Sequence, residues 1–497
     1  MLYKSTRSTA PADRTSADVI KEGLASDGGL FVPESIPTLT LPEIEALCRK
    51  SYPERAADIL SRFLTDYTQE ELLEDCRAAY SRDSFVGGAA SLVGVRSTYP
   101  MEILELWHGP TAAFKDMALQ IMPRLLSRAL VKTGETRDAM ILVATSGDTG
   151  KAALEGYRDI DRVRILVFYP SDGVSSVQKL QMATQQGSNV AVCAIRGNFD
   201  DAQNGVKEIL NSPEMTTRAK VRGTVFSSAN SINWGRLVPQ TVYYVSAYCD
   251  LINAGRIKPG TRINVCVPTG NFGNIFAAYI AKRMGLPIER LICASNSNNV
   301  LTEFLSTGIY DRNRAFHMTM SPSMDILISS NLERLLYFIA GSEKTAGWMQ
   351  ELKETGKYTV DSQTLREIRR HFVGYFTDED ETVATIRKTW RDGDYLADPH
   401  TAVAIYAAEQ YLRDNADPTP MVVDSTASPF KFAGSVYKAL TGENAASDLE
   451  ALDQLAALTG TRIPYPLAGL GKRAVRFTQV CEVSEMRQVV MDFIKNK

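Results

Sequence analysis

The sequence predicts an α/β protein whose sheets are mostly parallel and flanked by helices, preceded by a helix-rich N-terminal region. Three observations carry this. From about residue 138 onward, short apolar runs alternate with amphipathic stretches of helical length. Several runs, that at 139–144 first among them, are continuously apolar, the mark of a strand buried on both faces. And each run is followed by a polar loop and then a helix, so successive strands are joined by crossovers.

Taken in order, Thr15 three residues before Asp18 predicts a capping box that opens a short helix. Ser26-Asp27-Gly28-Gly29 is a turn before a strand at Leu30-Phe31-Val32, and helical patterns return at 42–50 and 69–80. The strand at 139–144 leads through a loop at 145–150 into a helix at 151–158. Strands at 163–169 and 190–195 follow, with helices at 176–186 and 200–210. A strand at 224–227 precedes one long helix, 234–254. A strand at 263–267 enters the helix 274–284 through a glycine-rich loop, and 291–294 and 421–423 read as further strands. Residues 310–398 look more helical and read as an insertion. The expected division is a helix-rich N-terminal domain at 1–90, a smaller α/β domain at 91–225 and a larger one at 226–497.

Length and composition set the bounds. The chain has 497 residues, room for two or three cores, with 44% hydrophobic and 23% charged residues, an ordinary globular mix. With 55 basic and 58 acidic residues, the net charge of −3 provides no field for nucleic acid or an anionic membrane surface. No apolar run reaches the ~18 residues of a spanning helix, and the polar first residues lack a signal-peptide pattern, so a cytoplasmic protein is expected. Seven scattered cysteines form no Cys-x-x-Cys pair, and no two of the four histidines have metal-ligand spacing; no metal centre is expected.

In parallel sheets, ligands bind beyond the carboxyl ends of the strands, which directs attention to the loops beginning at Thr145, Thr269 and Ser425. In Thr269-Gly270-Asn271-Phe272-Gly273-Asn274, glycines let backbone amides approach an anion at a helix N-terminus. It is neither G-x-G-x-x-G nor a Walker A sequence, so a monophosphate suits it better than a nucleoside triphosphate. Read alone it is equally an ordinary strand-to-helix turn. Gly109-Pro110-Thr111 starts a helix with Lys115 in its first turns, beside Phe114 and Met117. Both the helix start and the apolar neighbours disfavour the ammonium form and make this amine a better nucleophile.

A phosphate loop, a nucleophilic lysine and a hydroxyl-rich strand-end loop are the parts of a pyridoxal-phosphate enzyme. The stretches His108-Gly109-Pro110-Thr111 with Phe114-Lys115-Asp116, Thr145-Ser146-Gly147-Asp148-Thr149-Gly150 and Gly270-Asn271-Phe272-Gly273-Asn274 together resemble the threonine synthases, in their longer-chain branch. Gly28 to Pro33, Asn230 to Arg236, Asp398 to Val403 and Ser425-Thr426-Ala427 extend the resemblance over most of the chain. Ser428 stands where family members often have His, and Trp107 where Phe is common.

The resemblance implies the fold-type II, tryptophan synthase β-like fold, with pyridoxal 5'-phosphate as cofactor and O-phospho-L-homoserine as the small-molecule substrate. No nucleic-acid, membrane or obligate protein partner is implied. It makes Lys115 the catalytic residue and the covalent anchor of the cofactor. Gly270, Asn271, Phe272, Gly273 and Asn274 would bind the cofactor phosphate, Thr426 its pyridine nitrogen, and Asp148 would lie by its 3-hydroxyl. Thr145, Ser146, Gly147 and Thr149 would bind the substrate carboxylate. Asn233 and Arg236 would bind the substrate, Arg236 by offering a fork of donors to phosphate; an arginine on a long helix is otherwise a partner for surface carboxylates. The implied reaction yields L-threonine and phosphate. A phospholyase stopping at 2-oxobutyrate, or a non-catalytic binding protein on the same scaffold, are the alternatives.

Overall fold

The computed structural model describes residues 1–96, 99–145, 147–172 and 174–495. Two open sheets organise the chain. The larger has six strands in the order Phe372–Phe376, Ile288–Ser295, Ile263–Pro268, Met421–Ser425, Met101–Glu105 and Ser91–Val95. All neighbours are parallel except the last pair, where Ser91–Val95 runs antiparallel at the edge. The smaller has five parallel strands in the order Val480–Glu482, Val190–Arg196, Val163–Pro170, Asp138–Ala144 and Thr224–Ser227. The central strands are buried almost throughout, as their unbroken apolar runs require.

The expected domain boundaries do not separate the sheets. Ser91–Val95 and Met101–Glu105, assigned from sequence to the smaller domain, belong to the larger sheet, because Met101–Glu105 pairs in register with Met421–Ser425. Conversely, Val480–Glu482 closes the edge of the smaller sheet, and the helix Met486–Lys495 packs its buried Met486, Val490 and Ile494 under it. The stretch 310–398 is helical at Leu332–Ala340, Ser342–Thr355 and Glu379–Gly393, but it also supplies Phe372–Phe376, an edge strand of the larger sheet.

The N-terminal region forms the predicted helices, including Ser16–Glu22 with its Thr15/Asp18 capping box, and a two-stranded pair, Tyr3–Ser5 with Phe31–Pro33. Tyr3 and Phe63 pack edge-on against Trp234, fixing this region to the start of the next expected helix. That helix is two, Trp234–Leu237 and Gln240–Asn253, with Pro239 at the junction. A second break matters more for chemistry. Lys115 is followed by only one helical turn, Asp116–Leu119, before Met122–Lys132. Pro123 lacks the N–H that would reach the Leu119 carbonyl, and Gly156 passes over that oxygen where a Cβ would collide with it. The helix Asp148–Tyr157 is thereby locked against the segment that carries Lys115.

Candidate active site

Strand-end loops of the two sheets meet at Lys115, which follows Met101–Glu105 of the larger sheet and lies beside Asp148, which follows Asp138–Ala144 of the smaller. The turn before it is rigid. Asp116 accepts from the Thr111 backbone N–H at 2.8 Å and from its hydroxyl at 2.7 Å, and a Cβ on Gly109 would collide with the Asp116 side chain. Burial raises this carboxyl to about 6 against those two hydrogen bonds. Lys115 Nζ is 3.3 Å from Ser323 Oγ and 3.5 Å from Asp148 Oδ2, with the side chain 10% exposed. Burial lowers the pKa of its ammonium; Asp148 opposes this, while Lys431 and Arg236 lower it further. The amine is thus biased toward the nucleophilic form.

Asp148 opens the helix Asp148–Tyr157 and is held from four sides. Its Oδ1 accepts from Gln178 Nε2 at 2.8 Å and lies 3.1 Å from Lys431 Nζ; its Oδ2 faces Lys115 and Ser323 Oγ, the latter at 3.3 Å. Burial alone would push the carboxyl up, but Lys431 and then Lys115 hold it well below the usual carboxylate range. An ionised Asp148 can only accept hydrogen bonds.

The loop before it is shaped by its own atoms. Thr145 Oγ1 accepts from the N–H groups of Gly147 and Gly150, both at 3.0 Å. Gly147 has φ of 144° and no room for a Cβ against Gln178. Thr149 is partly exposed, and Ser146 lies outside the described residues.

On the larger sheet, Gly270 to Asn274 wraps the start of the helix Gly273–Met284. Gly270 must be glycine, since a Cβ would come within 2.9 Å of the Ser323 carbonyl. The Gly270 carbonyl accepts from Ser329 Oγ at 2.6 Å, and the Asn271 carbonyl from Asn331 N and Nδ2. Phe272 takes the left-handed conformation, φ 62°, and buries its ring against Phe372. Carbonyls are thereby tied down behind the loop while the first helical N–H groups have no intrahelical acceptors. The Asn274 side chain binds Tyr243, Tyr244 (2.6 Å) and Asp424 (3.0 Å), so its part in an anion site is its backbone N–H, as for the rest of the loop.

At the end of Met421–Ser425, Ser425 Oγ accepts from Trp107 Nε1 at 3.0 Å and the Tyr395 hydroxyl at 3.1 Å, and lies 2.9 Å from Thr401 Oγ1. Ser425 is therefore saturated, whereas the buried Thr426 makes no side-chain hydrogen bond to another described residue. Its backbone carbonyl accepts from Phe114 N at 2.8 Å, so this hydroxyl stands beside the Lys115 segment.

Asn233 is turned inward. Both of its amide N–H groups donate, to Ile20 O and Ser228 O, and its oxygen accepts from Gly235 N, so the side chain caps a helix and offers no donor to a substrate. Arg236, three residues on, does the opposite. It is buried, it donates to Ala229 O at 2.9 Å, and no carboxylate lies within ion-pair distance among the described residues. Burial draws its guanidinium down to about 10, and it lies close enough to Lys115 to depress that amine.

Three functional neighbours escaped the sequence reading. Lys431 sits in the turn Pro429–Phe432, capped by Ser428, and its position between two phenylalanines just after a strand-end loop was a usable signal. Ser323 and Gln178 carried none. His400 anchors Ser323: its Nε2 accepts from the Ser323 backbone N–H at 3.1 Å, which leaves Nδ1 to donate to Asp398 at 2.8 Å. The other motif histidine, His108, is bound to Glu105 at 2.8 Å and stacked on Trp107.

Residues 2–80 match the family described as threonine synthase N terminus, 104–423 that of pyridoxal-phosphate dependent enzymes, and 401–490 that of the threonine synthase C-terminal region. A threonine synthase of Pseudomonas aeruginosa is 41% identical, over 89% of this chain and 91% of its own. The chain belongs to the threonine synthase family. It is 41% identical to human threonine synthase-like 1 over 88% of this chain but only 60% of that protein's length. Solved threonine synthases superpose over essentially the whole molecule: the PLP-bound enzyme of Brucella melitensis with TM-score 0.87 at 39% identity, and that of yeast with 0.89 at 33%, each covering 100% of this chain and 99% of the other. The fold is thus that of the fold-type II pyridoxal-phosphate enzymes, and the cofactor is pyridoxal phosphate. The residues fit that group: Lys115, an amine biased toward its neutral form, lies by Ser323, against which the backbone-amide loop at Gly270 packs, and the uncommitted Thr426 hydroxyl belongs to the residue that pairs with Phe114. No helix among the described residues is long and apolar enough to cross a membrane.

Proposed function

We propose that this chain converts O-phospho-L-homoserine and water to L-threonine and phosphate. The observation that carries the reading is Arg236, a buried guanidinium without a carboxylate partner, beside Lys115. A buried cation left without an acid is costly unless a ligand brings the anion. A substrate with a phosphate supplies a second anion beyond the carboxylate that any amino acid carries, and that carboxylate has its own place at the start of the helix Asp148–Tyr157.

Pyridoxal phosphate, when bound, supplies the electron sink that makes the substrate's carbon-bound protons removable. Lys115 would hold it covalently and then move protons at the substrate's Cα and Cβ. The amides of Gly270 to Asn274 would hold its phosphate, and the Thr426 hydroxyl would serve its ring nitrogen. Asp148, held ionised by Lys431 and Lys115, would offer only an acceptor to its 3-hydroxyl and could not itself supply a proton. Ser323 Oγ, between Lys115 and Asp148, orients both. Gly147 and Thr149, with Ser146, receive the substrate carboxylate at the start of the helix Asp148–Tyr157, and Arg236 holds the phosphate as it departs. Water must enter only after phosphate leaves, so the two sheets close over the substrate during elimination. On this reading the chain acts at the last step of threonine biosynthesis, in the aspartate-family pathway, and works in the cytoplasm.

Product analysis tests it. Purified protein given phosphohomoserine should release phosphate and threonine in equal amounts. Release of 2-oxobutyrate in place of threonine would make it a phospholyase, and no phosphate release would make it a binding protein.

A further inference from the structure

We propose that Lys431 is the fixed counter-cation of Asp148, a positioning residue that keeps this carboxylate ionised and aimed while Lys115 gives up its charge. The inference borrows from the reading above only that Lys115 changes charge during turnover. The geometry divides the carboxylate between two amines: Lys431 lies 3.1 Å from Oδ1 and Lys115 3.5 Å from Oδ2. Their surroundings differ. Lys431 is wholly enclosed, with 0% of its side chain exposed, and donates to the Thr111 carbonyl at 2.8 Å. Lys115 is the one at the pocket surface, free to react.

A fully buried ammonium persists only where a carboxylate and further acceptors satisfy it. Among the described residues, Asp148 is the one carboxylate within ion-pair distance of Lys431. The turn that carries Lys431 follows Thr426 directly and is fixed by Ser428, whose N–H donates to Ala112 O at 3.1 Å. Lys431 is therefore part of the frame, and its contact with Asp148 does not depend on what Lys115 is bonded to. With Lys115 neutral, Asp148 still has one cation, Gln178 Nε2 and the Ser323 hydroxyl around it. The same amine acts on Lys115 as a like charge, together with Arg236, against the attraction of Asp148. Lys431 thus serves twice: it holds the acceptor and helps keep the nucleophile unprotonated.

The test needs neither substrate nor cofactor. In apo-protein, reductive methylation of Lys115 by formaldehyde and borohydride is followed against pH by peptide mass spectrometry. Lys431→Met and Lys431→Gln are compared; Gln keeps donors for Thr111 and Asp148 but has no charge. Without the Lys431 charge, Asp148 turns wholly to Lys115 and a repelling cation is gone. The midpoint should move upward by about one pH unit or more in both variants, with labelling below the midpoint slowed about tenfold. A midpoint unmoved in both, or moved in Met and restored in Gln, would show that Lys431 merely pins the Thr111 turn. Thermal unfolding supplies the second measurement. Adding Lys431→Met to Asp148→Asn should raise Tm above that of Asp148→Asn alone, because it removes a buried cation already stripped of its partner. A further fall in Tm would overturn the proposal even if Lys431→Met alone does not fold.

Discussion

The ends of the two sheets build their halves of the pocket by opposite means. At the larger sheet, the loop Gly270 to Asn274 rests on groups of its own lobe: Asn331 and Ser329 grip its carbonyls, and Tyr243, Tyr244 and Asp424 hold Asn274 from beneath. Most of these bonds are neutral and mutually supporting, and this half would keep its shape with nothing bound. At the smaller sheet, Asp148 takes only Gln178 from its own lobe; Lys115 and Lys431 reach it from strand-end loops of the larger, and Ser323 from the turn Pro322–Met324. One half is a scaffold that cradles an anion through backbone amides. The other is an electrostatic seam, in which the loss of one charge changes the meaning of the rest.

The largest effect should come at the seam. Lys115→Ala removes the group that holds the cofactor and moves protons, so turnover should fall by at least about 10⁴-fold, or ~5.5 kcal/mol. The fold should survive, because the side chain lines a pocket and supports no core. Borohydride treatment of the holo-protein followed by peptide mapping should find the fixed cofactor on Lys115; an adduct on Lys431 would exchange the roles of the two lysines.

Within the scaffold, one titratable group stands out. Burial raises Asp424 to about 7 from 3.8, against hydrogen bonds from Tyr244 and Asn274, and its Oδ1 has no partner among the described residues. The folded state thus keeps a proton that the unfolded chain has released. The resulting stabilisation is full below about pH 4 and is lost as the pH climbs through about 7, amounting to at most ~4 kcal/mol. Asp424→Asn removes that titration. The difference in unfolding free energy between variant and parent should therefore change between pH 4 and 7 in the variant's favour. A pH-independent difference would mean that Asp424 is ionised throughout and that the scaffold carries a charge after all.

Arg236→Lys returns to the charged half. It keeps the charge and loses the fork, so kcat/KM for phosphohomoserine should fall ~10- to 100-fold, about 1.4–2.8 kcal/mol. The spectral change on binding a phosphate-free amino acid should be almost unaltered. Equal losses for both ligands would make Arg236 a support of the pocket and send the search for the substrate phosphate elsewhere.

The same contrast explains what could be read from sequence. Strands such as Val163–Pro170 were legible because both faces are apolar, and the phosphate loop because its glycines answer a backbone demand. Asn233 and Asn274 had the right chemistry in the right motifs, yet where a side-chain amide turns is decided by neighbours far along the chain: Ile20 for one, Tyr244 and Asp424 for the other. Ser323 was invisible, since no local pattern brings a serine from a turn after residue 320 to an amine at 115. That Met101–Glu105 is a strand of the larger sheet was unreadable for a like reason, because its partner lies 320 residues away.

The smallest effect should be at Trp107, the departure from the family pattern. Trp107→Phe deletes one neutral hydrogen bond, Nε1 to Ser425 Oγ at 3.0 Å, while a phenyl ring can still stack on His108. Ser425 would retain Tyr395 at 3.1 Å and Thr401 at 2.9 Å, so its hydroxyl is not stranded. The loss should therefore be one net hydrogen bond, about 1 kcal/mol, seen as a Tm lower by no more than ~2 °C. Cofactor affinity and kcat/KM should stay within about fivefold of the parent, since 1 kcal/mol corresponds to no more than that factor. A loss approaching that of Arg236→Lys would show that the Ser425 cluster is not overdetermined. Trp107 would then be steering Thr426 toward the cofactor's ring nitrogen, and the neutral half of the pocket would be as easily disturbed as the charged one.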